Sequence, residues 1–243
     1  FNSGEYLKEL ETISKLILAI RNTKGEILGF SGLMGAGRTE VARAIFGADK
    51  IAEGTIKVQG EAVTINSPRS AVHNGICYIP EDRKRFGLLL DKSVVDNSVL
   101  ASLKKYNKFG FLDDKSARAD AEKINKKLRT KTPSMKQILR NLSGGNQQKV
   151  VVAKWLLKDA DIFIFDEPTR GIDIGAKSEM YDLIEELTRN GKSVIMISSE
   201  LAEIQRCSDR VIVMCEGRIT ADIPIEEASQ ENIMKYAMMR GDS

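Results

Sequence analysis

Gly32-Leu33-Met34-Gly35-Ala36-Gly37-Arg38-Thr39-Glu40 stands between an apolar run, Ile27 to Ser31, and a helical pattern, Thr39 to Phe46. A strand that runs into a glycine-rich turn opening a helix is the context a phosphate-binding loop requires. Glycines let backbone N–H groups turn inward around phosphate oxygens, and the helix start adds positive potential. The Thr39 hydroxyl is placed to ligate magnesium. The pattern GxxxxGK[ST] has lysine where this chain has Arg38. Arginine keeps the charge but replaces a compact ammonium with a longer planar fork whose hydrogen-bond directions are fixed. A glycine-rich turn that binds nothing has the same spacing, so the rest of the chain decides.

Working outward, apolar runs followed by helical patterns recur at Ile162 to Phe165 with Ala176 to Leu187, and at Val194 to Ser198 with Leu201 to Cys207. Such alternation predicts parallel strands joined by crossover helices. Asp113 to Leu128 reads as a polar helix, and no strand pattern occurs from about residue 93 to residue 150, which predicts a separate helical lobe. Tyr6, Leu7, Leu10, Ile13, Leu16, Ile17 and Ile20 recur at helical spacing, so a helix is expected there, although the β-branched residues also suit a strand.

A chain of 243 residues, 42% of them hydrophobic, can bury a sizeable core in one α/β domain with sub-lobes. The longest apolar runs, such as Leu16 to Ile20 and Val211 to Cys215, fall far short of the roughly 18 residues a membrane helix needs. The expectation is a soluble chain without a secretory signal. A start at Phe1 rather than methionine suggests a fragment. Cys77, Cys207 and Cys215 show no CxxC spacing, so reduced, buried thiols are expected rather than a metal site. The net charge is +3, with basic clusters at Arg83-Lys84-Arg85, Lys104-Lys105 and Lys123 to Lys131. These read as solvated helix faces, because no aromatic residues interleave to stack nucleic-acid bases.

Farther along, Leu142-Ser143-Gly144-Gly145-Asn146-Gln147-Gln148 precedes a helix expected to begin near Lys149. Ser143 and the amides of Gly144 and Gly145 suit a γ-phosphate. The strand Ile162 to Phe165 ends in Asp166-Glu167, where Asp166 can hold magnesium directly or through water and Glu167 can polarise an attacking water. An ordinary Asp-Glu-Pro strand-to-turn junction is the bland alternative.

Together these stretches resemble the ATP-binding cassette (ABC) family: a phosphate loop at Gly32 to Glu40, a signature loop at Leu142 to Gln148 and a Walker B strand ending at Asp166-Glu167. The resemblance implies an α/β fold of the P-loop NTPase type, an ABC-type ATPase core. It has a mostly parallel sheet, a small antiparallel β part and a helical sub-lobe. Residues 1–243 would form one nucleotide-binding domain, with about 1–92 and 151–243 as core and about 93–150 as the lobe ending in the signature loop. The cofactors implied are ATP and Mg2+. Gly32, Leu33, Met34, Gly35, Ala36, Gly37, Arg38, Thr39 and Glu40 would bind the nucleotide, as would Ser143, Gly144 and Gly145 of the signature. Thr39 and Asp166 would hold the metal, and Asp166 and Glu167 would carry catalysis.

The family's glutamine loop matches Glu81, and its switch histidine matches Ser199, so these two would also belong to the nucleotide-binding residues. The chain's only histidine, His73, lies far upstream, in an apparent helix ending at Gly75, and reads as a surface residue. Asn146 stands where glutamine is common, and Arg170-Gly171-Ile172-Asp173 occupies the place of the loop that communicates between sites. Tyr6 is the nearest match for the adenine-stacking aromatic, and a weak one.

Pro80-Glu81-Asp82-Arg83-Lys84 and Asp166-Glu167-Pro168-Thr169-Arg170-Gly171-Ile172-Asp173 narrow the resemblance. They are similar to the second cassette of two-cassette ATPases that drive bacterial monosaccharide importers for ribose, galactose, xylose or arabinose. This implies an ATPase at the cytoplasmic face of the inner membrane, its own Walker site altered at Arg38 and Ser199 and slow. Its implied partners are a first cassette packed head to tail, membrane permease subunits and, indirectly, a sugar-binding protein, with no nucleic acid. The family places sugar recognition outside the ATPase. Two other readings stay open: a regulatory nucleotide-binding half without turnover, and a soluble cassette ATPase acting on nucleic acid, which salt-sensitive binding would reveal.

Overall fold

The computed structural model describes residues 25–51, 53–108 and 110–239. The helix expected over the first twenty residues and Tyr6 lie outside the described residues.

In chain order the elements are β1 (Ile27–Gly32), α1 (Arg38–Ile45), β2 (Ile56–Val58), β3 (Glu61–Val63), α2 (Pro68–His73) and β4 (Ile76–Ile79). A wide helical turn at Arg83–Gly87 leads to α3 (Val94–Val99), a short hairpin of β5 (Asn107–Lys108) and β6 (Phe111–Leu112), α4 (Asp114–Lys127) and α5 (Gly144–Leu157). Then follow β7 (Ile162–Asp166), α6 (Ile174–Arg189), β8 (Ser193–Ile197), α7 (Leu201–Cys207), β9 (Arg210–Cys215), β10 (Arg218–Pro224) and α8 (Gln230–Ala237).

Six strands form one sheet in the order β10-β9-β1-β8-β7-β4. β1 pairs in parallel with β8 and β9, and β7 with β8, while β10 is antiparallel at the edge. Strands covered on both faces are apolar throughout rather than alternating, and Ile27 to Ser31 are all buried. Crossing from strand to parallel strand needs a helix, which accounts for the strand and helix alternation seen in the sequence.

Two compact units divide the described chain. The first comprises the residues up to Tyr78, Asp161–Glu167, and those from Ile184 onward; the second comprises Ile79–Ala160 and Pro168–Leu183. In the first, Leu28, Phe30, Val41, Ile45, Ile164 and Ile197 belong to a core between sheet and helices. In the second, Val99, Tyr106, Ala117 and Ala121 form a small core with Val95, Met135 and Leu157 packed against it.

Two local expectations are corrected. The helix placed near Lys149 begins at Gly144, with Ser143 as its N-cap. Glycine costs about 1 kcal/mol per helical position relative to alanine, which argues for a later start, but packing overrides propensity here. A Cβ on Gly145 would come within 2.7 Å of the Ala176 side chain, so this turn of helix can approach only as glycine. Likewise the stretch without strand pattern contains the β5–β6 hairpin, paired at Asn107 with Leu112 and Lys108 with Phe111. Two-residue strands are too short to show alternation.

His73 ends α2 on the surface, and all three cysteines are free and buried. Among the described residues no helix is long and apolar enough to cross a membrane.

Candidate functional site

β1 delivers the chain into a loop whose glycines take conformations closed to other residues. Gly32, Gly35 and Gly37 have φ of 151°, 79° and 96°. A Cβ on Gly32 would lie 2.4 Å from the Met214 carbonyl oxygen. Gly37, having no side chain, is the N-cap of α1, so the first N–H groups of the helix are left to a ligand. The loop is pinned from behind, where the N–H of Gly217 donates to the Ala36 carbonyl at 3.0 Å. Leu33 and Met34 point outward, Met34 being 98% exposed.

Arg38 follows, and its side chain is buried. Its Nη1 donates to the main-chain oxygen of Ser198 at 2.7 Å. Burial pulls the guanidinium below its ordinary value, opposed by the charges of Glu167, Asp166 and Glu40. The next residue, Thr39, donates from Oγ1 to Oδ1 of Asp166 at 3.2 Å. Oδ2 of the same carboxylate accepts from the Tyr78 hydroxyl at 2.6 Å. Asp166 is fully buried, and that burial raises its pKa, against the lowering pull of the Tyr78 and Thr39 bonds and the Arg38 charge.

Register places these groups. Asp166 at the end of β7 lies opposite Ile197 at the end of β8, so Glu167, Ser198 and Ser199 continue from adjacent strand ends, the edge at which open α/β sheets bind ligands. Glu167 has φ +49°, a conformation that costs a non-glycine residue about 1 kcal/mol or more and that gathers at functional sites. Its N–H donates to the Ile197 carbonyl at 2.9 Å, and its Oε2 accepts from the Ser199 hydroxyl at 3.1 Å. Burial raises the Glu167 carboxyl, with the Ser199 bond pulling it back. The Ser198 hydroxyl donates to Glu203 at 2.8 Å and accepts from the Glu200 N–H at 3.0 Å, which shapes the turn into α7.

In this first unit the structure therefore brings together Gly32 to Glu40, Asp166, Glu167 and Ser199. Sequence reasoning missed Tyr78 and Ser198, which lie 88 residues from Asp166 and 160 from Arg38. No local signal marks either of them.

The donor set suits magnesium. A hydroxyl and a carboxylate are hard oxygen ligands, joined here beside the glycine loop. Among the described residues no group of three or more His, Cys, Asp and Glu could hold an ion alone, so an ion here would share its shell with phosphate oxygens, the usual habit of magnesium.

The second unit carries Ser143, Gly144, Gly145 and Glu81. Ser143 is exposed at the start of α5; its hydroxyl makes no cap bond to the helix but accepts from Asn146 Nδ2 at 2.8 Å. Asn146 Oδ1 in turn accepts from the Lys131 N–H at 2.7 Å. Gln147 donates to the Leu139 and Leu142 carbonyls at 3.2 and 3.1 Å, fixing the approach to the helix. Glu81 is paired with the Arg170 guanidinium.

Comparisons with known proteins agree with this geometry. Residues 18–170 match the family described as ABC transporter. The chain is 55% identical, over 89% of its length and 43% of the relative's, to the protein named "Putative ribose/galactose/methyl galactoside import ATP-binding protein 1" of Burkholderia lata. It is 53% identical to the ribose import ATP-binding protein RbsA of Clostridium perfringens, over 88% of this chain and 43% of that one. The chain thus spans less than half the length of the relatives it matches. Among solved structures it superposes on a nucleotide-free ATP-binding cassette from an ABC transporter with a TM-score of 0.75 at 22% identity, covering 88% of this chain and 85% of that one. The cassette fold expected from the sequence is the fold observed.

Proposed function

Because this chain belongs to the ABC transporter family, we propose that it is an ATP-binding and ATP-hydrolysing half that powers import of a simple sugar through a membrane permease. Its own Walker site turns ATP over slowly. In this reading the described residues form one cassette, with a helical lobe that ends in the signature loop. The cassette pairs head to tail with a first cassette in a longer chain, binds permease subunits at the inner membrane, and answers indirectly to a sugar-binding protein. Nucleic acid has no part in it.

The N–H groups of Gly35 to Thr39 bind the phosphates, and Glu40 stands in the first turn of the helix behind them. Thr39 and Asp166 would hold magnesium, which when bound would neutralise charge on the phosphate oxygens. Glu167 orients the attacking water and accepts its proton. A carboxyl raised by burial is a better proton acceptor than an ordinary one, and Ser199 holds it in place. Ser143, Gly144 and Gly145 complete the phosphate site of the first cassette.

The observation that carries slow turnover is the Arg38 bond to Ser198. A lysine at this position is a free point charge able to sit between phosphates, whereas the Arg38 fork is hydrogen-bonded to the strand end. Ser199, a neutral hydroxyl with no titratable ring nitrogens, cannot do what a histidine does beside Glu167. The same bond also favours a second reading, a regulatory half that binds ATP without any turnover.

ATP binding and hydrolysis by this chain and by the two-cassette protein test the proposal. Binding with little turnover alone, and turnover restored in the longer protein, is the expected outcome. If Glu167→Gln abolished all ATPase activity while loss of the first cassette's corresponding glutamate had little effect, the asymmetry would be the reverse of that proposed.

A further inference from the structure

The basic cluster Arg83-Lys84-Arg85 has no part in the chemistry above, and its three cations behave differently. Lys84 and Arg85 are exposed, whereas Arg83 is only 8% exposed. Asp82 shapes the turn, its Oδ1 accepting from the N–H groups of Lys84 and Arg85, both at 3.1 Å. Arg83 is thereby aimed inward. Its Nη1 donates to the Arg170 carbonyl at 3.0 Å and its Nη2 reaches the Gly171 carbonyl at 3.4 Å.

On its other side the guanidinium lies against the first residue of α5. A Cβ on Gly144 would come within 2.5 Å of Arg83 Nη2 and 2.9 Å of the Gly171 oxygen. Position 144 must therefore be glycine while Arg83 is in place. Glu81 adds a further tie through the side chain of Arg170. A buried cation whose hydrogen bonds go to main-chain carbonyls is a poor source of stability, and burial pulls this one below its ordinary value. Arg83 reads better as a device for holding three segments in register.

We propose that Arg83 is a positioning residue that locks the loop Glu81–Arg85 to the first turn of the signature helix and to the Arg170–Gly171 segment, so that displacement of that loop moves the Ser143–Gly145 anion site. The proposal rests on the reading of α5's start as a phosphate site. Fork geometry is essential to it, because Arg83 meets the two carbonyls with two nitrogens held in a fixed plane, a spacing that the single nitrogen of a lysine does not reproduce.

The test uses Arg83→Ala and Arg83→Lys in the full-length protein, with two measurements. The first is hydrogen exchange at the Gln147 amide, bonded to Ser143 O at 2.9 Å, and at the Ile172 amide, bonded to Thr169 O at 3.3 Å. Both variants are expected to speed exchange at these two amides about tenfold or more while Val41 in α1 and Phe46 at its C-cap exchange as in the wild type. The second is ATPase activity with permease, where kcat is expected to fall about tenfold with KM little changed. Unchanged exchange at Gln147 and Ile172, recovery of both readouts by Arg83→Lys, or faster exchange spread evenly through the chain would each overturn the proposal. The exchange result stands even if the full-length protein shows no ATPase activity, an outcome that would refute the transport reading separately. Should Arg83→Ala not fold, Arg83→Lys carries the same measurements.

Discussion

Arg38 and Ser198 are joined by a 2.7 Å hydrogen bond across 160 residues of sequence. The bond commits the phosphate loop's cation to the end of β8, one residue before Ser199, whose hydroxyl holds Glu167. Arg38 and Ser199, two of the positions read in the sequence as departures from the pattern, thus meet at the same strand end.

Arg38→Lys should free the loop's charge. In the full-length protein, ATP affinity at this site is expected to rise about tenfold, the factor expected from roughly 1.4 kcal/mol of added charge-assisted contact. Loss of the Ser198 bond should lower stability by roughly 1–3 kcal/mol. Nucleotide titration and denaturant unfolding read the two effects separately. Affinity equal to or below that of the wild type would show that Arg38 already serves the phosphates.

Tyr78→Phe removes the donor from a fully buried carboxylate oxygen 2.6 Å away and leaves it without that partner. The expected loss is about 1–3 kcal/mol, seen as a lower denaturant midpoint at unchanged slope. An unaltered midpoint would mean that Asp166 finds a substitute partner.

Gly29→Ala tests the packing beneath the loop. The added Cβ would lie 2.3 Å from the Ser208 hydroxyl oxygen and 3.2 Å from Ile204 Cγ2, an overpacking expected to cost about 1–3 kcal/mol. Adding Ser208→Ala should recover part of that loss, since it deletes the nearest atom but leaves Ser208 Cβ at 3.0 Å. Simple additivity of the two changes would contradict the contact.

Cys207 gives a pH-dependent signature. Burial, helped by the charges of Glu203 and Glu185 and opposed by Arg206, pushes its thiol up to about 12. An unfolded thiol ionises near about 8.5. The folded state binds its proton more tightly, so this contribution to stability is complete below about pH 8.5 and declines as pH rises from there through the folded value. At pH 8 the native thiol should react with an alkylating reagent far more slowly than the denatured one. Equal rates would place Cys207 in contact with solvent.

Much of the cassette was legible in the sequence because its parts are local. The loop from Gly32 to Thr39, the Asp166-Glu167 strand end and the helix from Leu201 to Cys207 each lie in one short segment. Where local rules conflicted with packing, they failed. The expected start of α5 near Lys149 agrees with glycine's low helix propensity, yet Gly144 and Gly145 are inside the helix, at positions where Arg83 and Ala176 leave no room for a side chain. The β5–β6 hairpin failed the other way, having too few residues to display a period.

The sequence by itself determined that Ile27 to Ser31, Ile162 to Phe165 and Val194 to Ile197 are strands, which turn carries the glycines a phosphate-binding loop needs and which residue types stand at the strand ends. It did so because dihedral freedom, hydrophobic patterning and side-chain chemistry are properties of neighbours along the chain. Only the tertiary structure decided that Arg38 bonds Ser198, that Tyr78 holds Asp166 and that one arginine of a basic cluster is buried. Those partners are set by the register of buried parallel strands, Asp166 opposite Ile197 among them. A strand apolar on both faces carries no alternation from which that register could be read.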